Sequence, residues 1–95
     1  MNIETVQTVK SLEFQAKNMS DNDTIYSVTV DGVRITVLDR ETGFGGGIRD
    51  IETGLRQDEK FWLASGGFDI RDYPDATIVE AFNLIKANAN TCIGA

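Results

Sequence analysis

Thr24-Ile25-Tyr26-Ser27-Val28-Thr29-Val30, then Asp31-Gly32, then Val33-Arg34-Ile35-Thr36-Val37-Leu38: this stretch decides the fold. Both flanking runs are rich in β-branched and aromatic residues, the types that fill a pleated, half-buried strand. Asp-Gly between them suits a two-residue type I′ turn, whose central residues both take positive φ. In the second run Val33, Ile35 and Val37 share one face, and Arg34, Thr36 and Leu38 share the other. One apolar face backed by a mixed one predicts a sheet covered on a single side.

Working outward toward the C-terminus, Phe61-Trp62-Leu63-Ala64-Ser65 reads as a third strand behind the turn-like Gln57 to Lys60. Gly66-Gly67 interrupts it. Phe68-Asp69-Ile70-Arg71 alternates, either as a fourth strand across a Gly-Gly hairpin or as the same strand continued past a bend. Helix-start signals then accumulate: Pro74 and Asp75, and the spacing of Thr77 and Glu80 that makes a capping box. Ile78, Phe82, Ile85 and Ala89 line one helical face with Val79 beside them, and Asn88 or Asn90 suits the end. The uncharged tail from Thr91 carries Ile93, which is expected to dock on the core.

Toward the N-terminus, Val6, Val9, Leu12, Ala16 and Met19 fall three or four apart and predict a helix over 3–19. Leu12, Phe14 and Ala16 also alternate as a strand would, but the helical register accounts for more residues. Asn18 to Asp23 supplies loop-forming side chains. The stretch 39–58 reads as irregular: Gly43-Phe44-Gly45-Gly46-Gly47 suits neither helix nor strand, and Ile48 to Leu55 makes a short strand or turn. The expected whole is one α+β domain over 1–95. It has a three- or four-stranded antiparallel sheet with an N-terminal and a C-terminal helix packed on one face.

Composition narrows function. The 95 residues hold 15 acids, 9 bases and no histidine, for a net charge of -6. The commonest general base and metal ligand is therefore absent. Cys92 is the only cysteine, so no internal disulfide forms, in keeping with a reducing cytoplasm. Met1 to Glu4 lacks the basic and apolar regions of a signal peptide, and no apolar run nears the ~20 residues of a membrane span. No segment gathers lysine and arginine, which argues against direct nucleic-acid or membrane contact.

Four chemistries can be weighed. Asp21-Asn22-Asp23 opens like a calcium loop, but Ile25 and Tyr26 stand where the third ligand and the glycine belong. Gly43 to Gly47 lacks the spacing and the Lys-Ser/Thr ending of phosphate loops. Asp50 with Glu52, or Asp69 with Asp72, could share a cleft, yet 15 carboxylates on a small surface make close pairs by chance. No enzyme activity, cofactor or metal is implied. Partner binding remains. Asp50, Glu52, Asp58 and Glu59 form one acidic series, and Asp69, Asp72 and Asp75 another. Tyr73 lies beside the second. Phe44 is either a core residue or an apolar anchor. Asp72 and Asp75 also complement the dipole of the following helix.

Those two acidic series, Asp50-Ile51-Glu52 to Asp58-Glu59 and Asp69/Asp72/Asp75, are what the chain shares with a known type. It resembles the small acidic proteins that phages and mobile elements encode against bacterial defences, anti-CRISPR proteins above all. The resemblance is one of type, with no motif to match position by position. It implies a protein that inhibits a basic, nucleic-acid-handling host complex by occupying its surface. DNA mimicry over the whole surface is not implied. About 30 Å of duplex carries roughly 18 charges, and here the cations are interleaved with the acids, as in Asp39-Arg40-Glu41. Two other readings stand beside this one. The first is a nucleotide or small-molecule binder using the glycine loop with Arg49 or Arg56. The second is a homo-oligomeric module whose mixed hairpin face (Tyr26, Arg34, Leu38) is covered by a second copy.

Overall fold

In the computed structural model the sequence forms a six-stranded antiparallel meander, in the order β1-β2-β3-β4-β5-β6. The structure describes residues 7–42 and 48–94, for 42, 48 and 49 the backbone alone. The strands are β1 (Gln15–Asn18), β2 (Asp23–Val30), β3 (Val33–Thr42), β4 (Ile48–Gln57), β5 (Lys60–Ala64) and β6 (Thr91–Gly94). One helix, α1 (Ile78–Asn88), and two 3-10 turns, Val9–Ser11 and Ile70–Asp72, complete the described elements.

The β2–β3 hairpin forms as expected, pairing Val30 with Val33 through Ser27 with Thr36. Asp31 at φ 50 and Gly32 at φ 76 make the type I′ turn. The C-terminal helix also forms. Thr77 Oγ1 accepts from the Glu80 N–H at 3.2 Å, and Glu80 Oε1 accepts from the Thr77 N–H at 3.1 Å, closing the capping box. Hydrogen bonding to the Thr77 backbone N–H, first of all, holds the Glu80 carboxyl below the usual glutamate range.

Two parts of the expected architecture are overturned. The sheet has six strands, not three or four, and the described part of 3–19 is no helix. Val9–Ser11 is a 3-10 turn, and Gln15–Asn18 is a strand paired with Thr24 to Ser27. Val9 and Leu12 go into the core, while the N–H groups of Val9 and Lys10 bond to the carbonyls of Ala76 and Pro74. Tertiary partners thus replace intrahelical ones, and the apolar spacing serves a docking turn instead.

The other added strands are β4, from the stretch read as irregular with a short strand or turn over Ile48 to Leu55, and β6, from the uncharged tail. Ile48–Gln57 is a ten-residue strand lying between β3 and β5. The tail folds back as β6, guided by Asn90, whose N–H bonds to the Leu63 carbonyl at 2.9 Å. Ile93 stays 62% exposed instead of entering the core. Phe68 to Arg71 is not a strand: Gly66 and Gly67, both at positive φ, turn the chain off the sheet into the second 3-10 turn.

The core lies on one side only. Val33, Ile35 and Val37 of β3 meet Leu55 of β4, with Ile70, Ile78, Ala81 and Ile85 packed above them. Thr53 is fully buried there. Its hydroxyl donates to the Phe68 carbonyl at 2.8 Å and accepts from the Ile70 N–H at 3.2 Å, which seats the second 3-10 turn on the sheet. α1 rests on β4 and β5, and both 3-10 turns lie on this same side.

Candidate functional site

The structure distributes the acidic residues singled out from the sequence. Asp50 and Glu52 lie on the uncovered face of β4, opposite Arg40 of β3: Asp50 pairs with Arg40 in register, and Arg40 Nη2 is 3.2 Å from Glu52 Oε1. Asp58 and Glu59 form the exposed β4–β5 turn, with Asp58 at φ 56. Eight residues of strand separate Asp50 from Asp58, roughly 26 Å. Asp58 and Glu59 share their end of the meander with Asp31 of the β2–β3 turn. Phe44 lies outside the described residues.

The second series divides by burial. Asp69, 7% exposed, is committed to structure. It caps the 3-10 turn by accepting from the Arg71 N–H at 2.9 Å and binds the Arg71 guanidinium, with Nη2 to Oδ2 at 2.8 Å. Arg71 also reaches Asp39, 8% exposed, at 3.8 Å and lies 4.5 Å from the centre of the Tyr26 ring. The hydrogen bonds that Arg71 donates to Asp69 are the main cause raising the Arg71 pKa, against the opposing effect of burial. Asp72, Tyr73 and Asp75 are exposed on the helical side. Tyr73 stacks on Phe68 with ring centres 5.8 Å apart, and Asp75 meets Lys10 at 3.0 Å. Glu80 follows in the first turn of α1, and Glu13 extends the neighbouring segment.

The uncovered face was not legible as a site from residue types alone. Strand register arranges its described side chains in four rows, beyond which the backbones of Thr42 and Ile48 pair. Nearest the Asp31–Gly32 turn stand Thr29, Arg34, Arg56, Phe61 and Ile93. Next come Gln15, Ser27, Thr36, Gly54, Leu63 and Thr91. Lys17, Ile25, Leu38 and Glu52 form the third row, and Asp23, Arg40 and Asp50 the fourth. Ile25, Leu38, Phe61 and Leu63 are half-buried, and none belongs to the core cluster. A side chain at Gly54 would meet Thr36 Oγ1 at 2.7 Å and the Phe61 ring at 2.9 Å, so the phenyl ring lies over bare backbone. Arg56 stacks over the same ring at 5.3 Å.

Charge is partitioned between this face and the rest. The rows hold four cations (Lys17, Arg34, Arg40, Arg56) and three acids (Asp23, Asp50, Glu52), a net +1. The other described side chains comprise 11 acids against four bases, Lys10, Lys60, Arg71 and Lys86, a net -7. Tyr26, which the sequence grouped with Arg34 and Leu38, lies on the opposite, covered face: it pairs with Val37 and supports Arg71.

A cleft of about 670 Å³ follows the outer edge of β2 where β1 stops, between Ser11 to Glu13 and Val28 to Val30. Among the described residues no three His, Cys, Asp or Glu side chains converge to hold a metal ion, and no helix is long and apolar enough to cross a membrane. Comparison with protein-family models, with curated proteins and with solved structures finds no match to this chain.

Proposed function

We propose that this chain is a non-enzymatic binding protein that occupies the basic surface of a nucleic-acid-handling complex in the host cytoplasm. The partition of charge supports this reading: among the described side chains 11 acids against 4 bases lie off the open face, and all of these acids but Asp39 and Asp69 are exposed. Surfaces basic enough to attract such an exterior are those that track phosphate backbones. On the helical side the exposed Asp72 and Asp75 flank the exposed Tyr73 along the chain, and Lys10 pairs with Asp75. The aromatic residue supplies apolar contact area, and the carboxylates steer the encounter and set orientation. Inhibition then follows from occupancy, since the partner's phosphate-binding cations are engaged by carboxylates. Asp69 holds this segment in place from beneath and makes no contact of its own.

The immobilised chain, incubated with bacterial extract, is expected to retain a basic nucleic-acid-handling complex and to release it as salt rises. The purified chain then inhibits nucleic-acid binding by that complex. Reversing Asp72 and Asp75 together to lysine weakens retention by about tenfold with the fold unchanged by circular dichroism. Retention indifferent to both salt and charge reversal would defeat the reading.

A further inference from the structure

We infer that the outer edge of β2 at Val28, Thr29 and Val30 takes up an extended peptide of a partner protein as an added antiparallel strand. An acidic side chain of that peptide, set between two apolar ones, reaches Arg34. This goes beyond the acidic-exterior reading and is independent of it, because it concerns a sheet edge and an acidic ligand.

The pattern of backbone hydrogen bonds leaves this edge bare. The Glu41 N–H bonds to the Asn22 carbonyl at 3.0 Å between β2 and β3, and the Met19 N–H bonds to the Asp23 carbonyl at 2.8 Å between β1 and β2. Along an antiparallel strand these groups alternate in side. Val28 and Val30 therefore aim theirs at β3, whereas Ile25, Ser27 and Thr29 aim theirs outward. β1 meets the outward groups as far as Ser27, opposite Gln15. Thr29 comes next and is exposed, and among the described residues no strand stands opposite its N–H and C=O. β1 is held from extending to meet them. Leu12 is buried, Phe14 packs on the core, and the Val9 and Lys10 N–H groups are bonded to the Ala76 and Pro74 carbonyls. The chain thus leaves the edge and opens the cleft of about 670 Å³, with Ser11 to Glu13 as its far wall. That volume falls within the roughly 300–1,000 Å³ of ligand sites. Val28-Thr29-Val30 carries no charge or proline of the kind that blunts a sheet edge.

Register then fixes what the added strand carries. In antiparallel pairing one peptide residue exchanges both hydrogen bonds with Thr29. Its side chain stands in the row of Thr29 and Arg34, which pair across β2 and β3. Arg34 is exposed, lines the cleft and makes no ion pair among the described residues. Its neighbour on the other side is Arg56, stacked over Phe61, and that like charge favours an Arg34 turned toward the cleft. A carboxylate opposite Thr29 neutralises Arg34 across the short threonine side chain. The two flanking peptide residues point to the covered face, beside Val28 and Val30, where the buried Leu12 also lines the cleft. Glu13 on the far wall repels a second acid. The edge therefore selects one acidic residue between two apolar ones.

The test is an NMR titration of the full isotope-labelled chain with the peptide Thr-Val-Glu-Val-Thr, acetylated and amidated at its ends. Saturable shifts centred on Val28, Thr29 and Val30 are expected, with exchange of the Thr29 amide slowed about tenfold or more at saturation. N-methylation of the peptide's glutamate removes the N–H that the Thr29 carbonyl accepts and weakens binding by about tenfold. Replacing that glutamate with lysine weakens it by a similar factor. Arg34→Glu, at an exposed site and with circular dichroism unchanged, reverses the preference in favour of the lysine peptide. No binding at millimolar peptide overturns the inference, as does binding that leaves Thr29 exchange unchanged or a glutamate preference that survives Arg34→Glu. Shifts at this edge that track the concentration of the chain alone would assign it to a second copy and also overturn it. Retention through Asp72 and Asp75 tests the acidic-exterior reading separately, so either can fail alone.

Discussion

The two faces of one sheet are built from alternate residues of the same strands, yet they obey different rules. On the covered face of β3, Val33, Ile35, Val37 and Asp39 are all buried. On the other, Arg34 is exposed and Thr36, Leu38 and Arg40 are half-buried. The covered face meets its polar needs internally: Asp39 and Asp69 bind Arg71, and Thr53 satisfies the chain that crosses above it. The open face keeps an Arg34–Arg56 pair that no acid of its own row neutralises. One face is therefore organised around a buried core, and the other carries a like-charged pair at its surface.

The sharpest way to break this contrast is a matched pair of truncations. Leu55→Ala, on the covered face and fully buried, is expected to cost about 3 kcal/mol. Leu63→Ala on the open face is expected to cost less than about 1 kcal/mol. Urea unfolding measures both, and equal losses would erase the distinction.

Next in size is the buried ion network. Arg71→Ala leaves the Asp39 and Asp69 carboxylates without their guanidinium and is expected to cost about 2 kcal/mol, since Arg71 is itself 30% exposed. The corresponding loss on the open face, Arg40→Ala opposite Glu52, stays within about 1 kcal/mol. Thermal melts of the two variants separate the cases.

The smallest effect lies at the start of α1. Thr77→Ala is expected to cost about 1 kcal/mol by removing the cap. Because folding lowers the Glu80 pKa, its contribution is present above the unfolded-state value and is lost as pH falls through the folded-state value. Glu80→Gln therefore flattens the acid limb of the stability profile. An unchanged limb in that variant would assign acid sensitivity to other carboxylates.

Legibility varied with the range of the interactions involved. The hairpin and its turn were legible because Asp31-Gly32 and the alternation of Val33, Ile35 and Val37 act within a few residues. The capping box of α1 was legible for the same reason. The N-terminal segment was not, because the spacing of Val9 and Leu12 fits a helix as well as a turn docked on residues 70–76. β4 was legible only as a short strand or turn over Ile48 to Leu55, because its sequence holds Gly54 and alternating charges. Only the Phe61 ring over that glycine, contributed by the next strand, explains how it is accommodated. The acidic series were legible as residues but not as places: β4 carries Asp50 away from Asp58, and Asp69 turns inward while Asp72 and Asp75 stay outside.

The sequence by itself determined the hairpin, the single-sided apolar pattern, the terminal helix and the acid excess. Each depends on local spacing or on a sum over residues. The tertiary structure decided that the meander reaches six strands, that Asp69 serves the core, and that cations gather on the face the helix leaves bare. Those outcomes depend on which strands become neighbours, and register alone places Arg34 beside Arg56 and Asp50 beside Arg40.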